Sequence, residues 1–424
     1  MSVPAPDPTV LPAEAVHAAA ARVMARCDAL ARHSATPGAI ERVYLSPEHA
    51  RVNRVVAGWM REAGLHAWQD EAGNLCGRLD APDPDAPALV LGSHLDTVRD
   101  AGRYDGTLGV LMALEVVRLV RGRRAPLPFA LEVAGFWDEE GARFGTALLG
   151  SAAFGGRWDE AWWDLRDGDG TALRDAFAAF GLDPGRVGAA ARRPDQLVGY
   201  LEAHIEQGPE LDDAGEPLGV VTSVASARRY ELRVRGEARH AGGTPYDRRR
   251  DALLGAAEVA LAVERVCRAR HHVVGTVGRL EAFPGAVNVV PGEAVLTVDL
   301  RAEHDDVRDA AWAAIRADVE AVAGRRGLSW HARDVHEAPA LVCAGRLRDV
   351  LSAGVATTGR VDPPHLFSRA GHDGMSLGGL TDVGMLFLRN PDGISHHPDE
   401  SVAAADVAAG LQAFTAAVLH LASA

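Results

Sequence analysis

Residues 88–98 read ALVLGSHLDTV, and this stretch decides the kind of fold. Its first five residues are a short apolar run, which is typical of a strand that is buried on both faces. An apolar helix pattern follows at 107–121, and a second strand pattern follows at 129–136. Because strands that alternate with helices form parallel sheets covered by helices, the sequence predicts an α/β fold with a mixed, mainly parallel sheet.

Polar residues that can bind a metal ion follow both of these strands. His94 follows the first strand, and Glu139 and Glu140 follow the second. Ligands bind such sheets beyond the carboxyl ends of the strands. One ring nitrogen of His94 could bind a metal ion while Asp96 accepts from the other nitrogen and fixes the tautomer. A polar loop without a metal is the alternative for this segment.

Two further segments carry acids with the chemistry of metal ligands. Asp105 precedes a helix, so it either caps that helix or binds and bridges metal ions. Asp138, Glu139 and Glu140 are consecutive, and adjacent carboxylates repel one another unless a cation neutralises them. An exposed acidic loop is the alternative. A hydrolytic site needs one of these carboxylates on a metal and one left free as a base.

Two histidines complete a candidate ligand set, although a lone histidine is more often a surface or hydrogen-bonded residue. Together, three histidines and two carboxylates give two ions separate ligands and one shared bridge; these residues are His94, Asp105, Glu140, His204 and His396. Such nitrogen and oxygen ligands suit Zn²⁺, Mn²⁺, Co²⁺ or Ni²⁺. Two divalent ions bring four positive charges, and the two carboxylates with a hydroxide return three. The remaining positive charge favours an anionic transition state.

The pattern of strands and helices changes near residue 220. Strands are predicted at 230–236, 273–282 and 294–301, and helices at 247–270 and 304–326. This pattern predicts a small α+β domain inserted into the larger one. The predicted ranges are 1–218 for the first part of the large domain, 219–335 for the insert and 336–424 for the second part.

The other predicted elements are helices at 13–34, 46–64 and 344–358 and a strand at 384–389. Ser46 is a capping residue followed by Pro47, and Gly64 is a typical helix stop. The Ala-rich final segment, 402–422, is predicted to be a surface helix packed by one face.

Composition excludes several classes of function. The net charge of −14 argues against a nucleic-acid partner. All 44 basic residues are Arg, which excludes a Lys Schiff base and a P-loop lysine. The four Cys are scattered, so we expect no disulfide framework and a cytoplasmic location. Neither a signal peptide nor a membrane span is expected.

The motifs together resemble one family of enzymes, the amidohydrolase/carbamoylase branch of the co-catalytic metallopeptidases. Its members include allantoate amidohydrolases, N-carbamoyl-L-amino-acid hydrolases and β-ureidopropionases. The matching segments run in family order along nearly the whole chain: GSHLDTV (92–98), YDGTLGV (104–110), DEEGARFGTALLGS (138–151), HIEQGPEL (204–211), HAGGTPYDRRRDAL (240–253), AVNVVPG (286–292), VDLR (298–301), AGHDGM (370–375) and ISHHPDE (394–400).

The resemblance implies a role for each candidate metal ligand. One ion is held by His94, Asp105 and His204, and the other by Asp105, Glu140 and His396. The choice of His396 over His397 follows the family order Ser-His-x-Pro. The resemblance also makes Glu139 the general base and Asp96 the partner of His94 outside the ligand set.

The resemblance further implies substrate contacts and an assembly. His240, in the insert, polarises the scissile carbonyl, and Arg301 binds the substrate carboxylate as a guanidinium fork can. Asn288, Gln207 and Gly371 match other substrate-binding positions. The insert has a ferredoxin-like fold and acts as a lid and dimerisation domain, so a homodimer is expected, and His240 can reach the partner's site.

Four positions depart from the usual family pattern. Gly243 replaces a Thr, Tyr246 replaces a Met, Ser368-Arg369 replaces Ser-Gly, and Gly374 replaces an Ala. Arg369 could bind a second anionic group or point to solvent. These departures affect the substrate more than the metal chemistry.

The expected reaction is hydrolysis of a linear ureido acid with release of ammonia and carbon dioxide. Allantoate is favoured, because the segments match that subgroup best. An N-carbamoyl-L-amino acid, or β-ureidopropionate, is the alternative substrate. A dipeptidase ranks lower because His204 stands where many peptidases have an acid, and a metal-free binding protein ranks lower because every ligand position is filled.

Overall fold

The computed structural model describes residues 8–123 and 126–423. The chain divides into two units, of which the second comprises Ser223–Val342 and Phe367–Arg369. The first unit comprises the remaining chain on either side. The domain ranges given above stay predictions.

The helices and strands of the described residues are numbered here in chain order. The α-helices are α1 (Ala13–Leu30), α2 (Pro47–Glu62), α3 (Thr107–Gly122), α4 (Leu149–Phe154), α5 (Leu173–Phe180), α6 (Glu210–Ala214), α7 (Ala252–Arg268), α8 (Asp305–Arg326), α9 (Gly345–Ala356), α10 (Gly374–Leu377) and α11 (Ala404–Ser423). The strands are β1 (His66–Gln69), β2 (Leu75–Leu79), β3 (Ala88–His94), β4 (Ala130–Phe136), β5 (Leu197–Ile205), β6 (Leu218–Val224), β7 (Ser226–Arg235), β8 (Arg239–His240), β9 (Val273–Thr276), β10 (Leu280–Phe283), β11 (Val289–Val290), β12 (Glu293–Ala302), β13 (Ser329–Ala338), β14 (Leu341–Val342), β15 (His365–Ser368) and β16 (Val383–Leu388). Short 3-10 helices lie at Glu160–Asp164, Pro184–Ala190, Pro194–Gln196, Tyr246–Arg248 and Pro391–Gly393.

A nine-stranded sheet has the order β1-β2-β4-β3-β5-β16-β6-β14, with β15 paired to β6. Its centre is parallel, because β3 pairs with β4 and β5, and β5 pairs with β16, all in the same direction. The flanking pairs are antiparallel. The predicted mixed, mainly parallel sheet is therefore confirmed. Every residue of β3 and β4 is buried, as their apolar runs predict.

Helix α3 lies unusually close to strand β5. A Cβ atom added at Gly109 would lie 2.2 Å from the carbonyl oxygen of Ala203, so only glycine permits this approach. The same approach brings the start of α3 close to the end of β5. Helix α2 begins as predicted, since the Ser46 side chain accepts a hydrogen bond from the backbone N–H of His49.

The second unit contains an antiparallel sheet in the order β10-β12-β7-β13, with β9 also paired to β12. Helices α7 and α8 cover one face, which carries Tyr230, Leu232, Leu296 and Val298. The predicted single strand at 273–282 is wrong: β9 and β10 pair with opposite ends of β12. The chain leaves the sheet between them, which an apolar/polar pattern alone does not reveal.

The prediction of a surface helix at 402–422 is wrong. Helix α11 is long and apolar enough to cross a membrane by length and composition, yet 67% of its apolar window is buried inside the fold. Small Ala and Gly side chains let other helices approach it from several sides. Two of its buried polar residues have partners: Arg389 pairs with Asp406 at 2.9 Å, and the Gln412 side chain accepts from the backbone N–H of Leu11 at 3.0 Å.

Candidate active site

Four adjacent parallel strands deliver the candidate ligands to one edge of the sheet. His94 ends β3, and His204 is the penultimate residue of β5. Glu140 follows β4, and His396 follows β16. Since these strands are neighbours in the order β4-β3-β5-β16, their carboxyl ends meet at this edge. The loop that precedes α3 brings Asp105 to the same place.

Two histidines face one oxygen of Asp105. Nε2 of His94 lies 3.4 Å from Oδ1 of Asp105, and Nε2 of His204 lies 3.1 Å from the same oxygen. All three side chains are buried. The ligand atoms of this trio all lie within 4.8 Å of one another, which is close enough for one metal ion.

A second trio shares the same carboxylate. Nε2 of His396 lies 3.3 Å from Oδ2 of Asp105 and 3.3 Å from Oε1 of Glu140. These three residues also form a group whose ligand atoms are within reach of one ion. His397 is turned elsewhere, since its Nδ1 accepts from the backbone N–H of Asp399 at 3.2 Å.

The position of Asp105 depends on its backbone. The carboxylate of Glu400 accepts hydrogen bonds from the backbone N–H groups of Tyr104 and Asp105, at 2.8 and 3.1 Å. Gly106 has a φ of 61°, and a Cβ there would lie 2.3 Å from Nε2 of His94. The local sequence Asp-Gly therefore supplies both the left-handed turn and the space beside the histidine.

The tautomers of two histidines fit metal binding. Nδ1 of His94 lies 3.2 Å from the carbonyl oxygen of Asp96, and Nδ1 of His204 lies 2.9 Å from that of Ile205. A proton on each Nδ1 makes these hydrogen bonds and leaves the Nε2 lone pair facing Asp105. Nε2 of His204 also accepts from the backbone N–H of Gly106 at 3.2 Å.

The sequence predicts that the Asp96 carboxylate accepts a hydrogen bond from His94, but in the structure that carboxylate also has other donors. Its oxygens accept the backbone N–H groups of Glu139 and Glu140, each at 3.2 Å. Oδ1 lies farther from Nδ1 of His94, at 3.7 Å, than does the carbonyl oxygen. Asp96 thus links the ends of β3 and β4 and orients the two consecutive acids.

The buried carboxylates of the site require positive charge to balance them. Oδ1 of Asp105 is buried, and no group among the described residues donates a hydrogen bond to it. Burial favours the neutral acid, but the neighbouring histidines hold the pKa of Asp105 well below its usual value. Burial alone would lower the pKa of His94, yet the carboxylates around it raise that pKa well above normal. Protons or metal ions must balance these carboxylates, so the residues present fit divalent ions.

Glu139 belongs to neither trio that shares Asp105, although it forms a further group of possible ligands with His94 and Glu140. Burial raises the pKa of Glu139 well above its usual value, and the adjacent Glu140 adds to this, whereas His94 opposes it. A buried carboxyl group with a raised pKa is suited to accept a proton as a general base and to return it as an acid. Gly371 lies beside it, because a Cβ added there would be 3.9 Å from Oε1 of Glu139.

Three residues predicted to contact substrate belong to the second unit. Nδ1 of His240 accepts from the backbone N–H groups of Gly242 and Gly243, at 3.1 and 3.0 Å. The imidazole therefore carries its proton on Nε2, where it can serve as a donor. Asn288 lies on the adjoining chain, and its carbonyl oxygen accepts from the N–H of Ala241. Arg301 lies on β12.

Gln207 contacts the ligand set itself. Its side-chain amide donates to Oδ2 of Asp105 at 3.0 Å and lies 3.2 Å from Nε2 of His396. Ser395 donates to the same oxygen of Asp105 at 2.8 Å. Neither contact follows from the sequence, because Gln207 and Ser395 are 102 and 290 residues away from Asp105.

Sequence reasoning missed a buried polar group behind His204. Glu202 accepts from Ser93 at 2.7 Å and from Tyr200 at 3.1 Å, and together with His204 and His372 it forms another group that could hold an ion. The available signal was an acid in an otherwise apolar strand. Glu400, in the segment HHPDE, was also missed.

The parallel sheet and the cluster of candidate metal ligands at its edge are what a metal-dependent hydrolase requires. A model of Peptidase family M20/M25/M40 matches residues 90–420, and the chain belongs to this family. It is 38% identical over 385 residues to an N-carbamoyl-L-amino acid amidohydrolase of Geobacillus stearothermophilus, covering 91% of this chain and 94% of that protein. It is 36% identical over 419 residues to allantoate deiminase 1 of Glycine max, covering 92% and 87%.

A solved structure extends the similarity to the whole fold. An amidase of the hydantoinase/carbamoylase family from Burkholderia multivorans matches with a TM-score of 0.85 and 31% identity, covering 96% of this chain and 98% of that chain. The resemblance inferred from the motifs is therefore confirmed. Within its family the chain is an amidohydrolase that acts on C–N bonds other than peptide bonds.

Proposed function

We propose that this protein is a two-metal hydrolase of linear ureido acids, which it cleaves to release ammonia and carbon dioxide. The proposal rests on one observation, that the two carboxylate oxygens of Asp105 face different ligands. Oδ1 faces His94 and His204, whereas Oδ2 faces His396. A carboxylate used on both sides suits a bridge between two ions. Zinc or manganese is the first choice, and cobalt or nickel also suits this ligand set.

The ions would be held by the two trios described above. When bound, divalent ions lower the pKa of water and polarise carbonyl oxygens. Glu139 accepts the proton of the attacking water and then delivers it to the leaving nitrogen. Asp96 orients Glu139 through the backbone, and Gln207 holds the bridging carboxylate. The leaving group departs as an amine, and the carbamate decomposes to ammonia and carbon dioxide.

Residues of the second unit bind the substrate in this proposal. The Nε2–H of His240 donates to the oxygen of the scissile ureido carbonyl, which stabilises the charge that develops there. Arg301 binds the substrate carboxylate, and Asn288 adds a polar contact. Gly371 leaves room for substrate beside Glu139. We further propose a cytoplasmic homodimer in which the second unit acts as lid and dimerisation domain, with no nucleic-acid partner.

Allantoate is the proposed substrate, and an N-carbamoyl-L-amino acid is the second candidate. Relatives with both names align over 91% and 92% of the chain, which supports the common chemistry more strongly than either substrate. The two substrates share a ureido group and a carboxylate. They differ beyond the α-carbon, where allantoate has a second ureido group and a carbamoyl amino acid has a side chain.

Ammonia release tests this proposal. The metal-loaded protein is assayed with allantoate, β-ureidopropionate and a panel of N-carbamoyl-L-amino acids, and with dipeptides as a control. We expect ammonia from at least one ureido acid, most rapidly from allantoate, and no cleavage of dipeptides. Faster turnover of a carbamoyl amino acid would replace allantoate as the substrate. Dipeptide cleavage without ammonia release would contradict the proposed function.

A further inference from the structure

An acid on the open face of the second sheet holds two arginines. Asp299 lies directly opposite Arg229 in the pairing of β12 with β7. Nε of Arg229 donates to Oδ2 of Asp299 at 3.0 Å. Nε and Nη2 of Arg301 donate to Oδ1 and Oδ2 of Asp299, at 3.0 and 3.4 Å. This face is the one that α7 and α8 do not cover, since the neighbouring Val298 and Leu300 belong to the core.

The hydrogen bonds of Arg301 leave part of its guanidinium available to a ligand. A guanidinium has five N–H donors in one plane. Asp299 takes the side edge, formed by Nε and Nη2, and Nη1 donates to the carbonyl oxygen of Arg369 at 2.9 Å. One N–H on each of Nη1 and Nη2 remains without a partner among the described residues. A guanidinium can bind a carboxylate bidentately through one N–H on each of two nitrogens, and Arg301 retains one on each of Nη1 and Nη2.

Arg301 lines a pocket of about 670 Å³. Its lining includes Arg229, Arg301, Asp299, Thr276 and Val335. Asp299 is ionised at neutral pH: burial raises its pKa, but its hydrogen bonds with Arg301 and Arg229 outweigh burial and lower that pKa below the usual value. The carboxylate of Asp299 thus fixes the guanidinium plane while the two arginines keep the pocket cationic.

We propose that Asp299 is a positioning residue that orients Arg301 so that its two free N–H groups bind the carboxylate of the substrate. This inference rests on the proposed function, which assigns Arg301 to that carboxylate. Without Asp299, the Arg301 side chain would lose two of its three hydrogen bonds. The Arg301 side chain would then sample other rotamers. Binding of the substrate carboxylate would be weaker, because it would have to order that side chain at a cost in entropy.

The same sheet offers a matched control. Glu293, also on β12, accepts from Nη1 of Arg233 at 2.7 Å and from Nε of Arg235 at 3.1 Å. Like Asp299, Glu293 bridges two arginines on the open face of the sheet, here both on β7, but it lies away from the pocket. Glu293→Gln removes a comparable pair of ion contacts without affecting Arg301.

Binding measurements separate a positioning role from a general loss of structure. The metal-loaded Glu139→Gln protein serves as background, and calorimetry measures N-carbamoylglycine and N-carbamoylglycinamide, which lacks the carboxylate. We expect Asp299→Asn to weaken N-carbamoylglycine binding about tenfold or more, as loss of charge-assisted bonds implies. Binding of the amide should stay within twofold, and Glu293→Gln should change neither. The double variant, Asp299→Asn with Arg301→Ala, should bind N-carbamoylglycine no more weakly than the Arg301→Ala single variant.

Two results would overturn the inference. One is equal affinity of the Asp299→Asn and parent proteins for N-carbamoylglycine. The other is equal affinity of the parent protein for the carboxylate and the amide. Neither binding measurement depends on turnover. A failure of the proposed reaction would appear in a separate assay, as the absence of ammonia release from the protein with Glu139 intact. In that protein, Asp299→Asn should raise KM about tenfold and leave kcat within twofold, because uniform binding is lost.

Discussion

Oδ2 of Asp105 lies 3.3 Å from Nε2 of His396, on the side of the carboxylate opposite to His94 and His204. One side chain thus links two groups of candidate ligands that come from four strands. This sharing is what a two-ion site would require. In the proposed site, metal binding therefore depends more on Asp105 than on any one histidine.

Asp105→Asn should abolish turnover. An amide oxygen is a weaker ligand than a carboxylate, and the substituted side chain would offer one oxygen in place of two. We expect metal content after gel filtration to fall for both ions, because each trio loses a member. Asp100→Asn, an exposed residue in the preceding loop, is the control and should keep both metal and activity. Retention of full metal content with normal kcat would exclude the bridging role.

Glu139→Gln should lower kcat by about 10²–10⁴-fold, the contribution typical of a positioned acid/base. Metal content should stay unchanged, because Glu139 lies outside both trios that share Asp105. Elemental analysis and steady-state ammonia assays check the two statements. A variant that lost metal instead would make Glu139 a ligand, and one with near-normal kcat would leave the base unidentified.

Gly106→Ala should weaken metal binding. The added Cβ would meet Nε2 of His94 at 2.3 Å, and a φ of 61° with a ψ of −52° costs a non-glycine residue about 1–3 kcal/mol. Gly122→Ala is the matched control at the other end of α3, where an added Cβ meets nothing within 4 Å. Chelator titrations should show earlier metal loss for Gly106→Ala alone. Equal chelator resistance of both variants would contradict the close approach.

The unfolding free energy should fall as the pH falls from about 6.5 towards 3, partly because of His49. Burial lowers the pKa of His49 to about 3, although its hydrogen bond to the Gly73 carbonyl opposes this. Below pH 6.5, His49 is protonated in the unfolded chain but stays neutral in the folded protein. The unfolding free energy therefore falls by about 1.4 kcal/mol per pH unit because of this group.

Urea unfolding at several pH values checks this dependence on His49. His49→Asn keeps an acceptor for the N–H of Leu45 but cannot titrate. Its stability should be lower at pH 7 and should fall less steeply between pH 6.5 and 4. Parallel pH profiles for the two proteins would show that another group is responsible.

The sequence predicts those parts of the fold that single segments determine. The apolar runs of β3 and β4 and the cap at Ser46 are local features, and all are found where expected. Helix α11 was misjudged because an Ala-rich helix packs closely on several sides while its composition resembles that of a half-exposed one. The break between β9 and β10 depends on pairing with β12, which no local pattern shows.

The candidate site was predictable as a set of residues but not as an arrangement. Motif order identifies His94, Asp105 and Glu139, yet the sequence does not show that Gly109 brings α3 against β5. The partners of Asp299 likewise follow from strand register, which is set by the sheet as a whole. Long-range relationships of this kind require the folded chain.

A metal titration decides most directly whether two ions share Asp105. The protein is stripped with a chelator, Mn²⁺ or Zn²⁺ is added back in steps, and ammonia release from allantoate or the best ureido acid is followed at each step. Activity should rise until two equivalents per chain are bound, and Asp105→Asn should not recover it. Full activity in the stripped protein, or saturation at one equivalent, would contradict a shared two-ion centre.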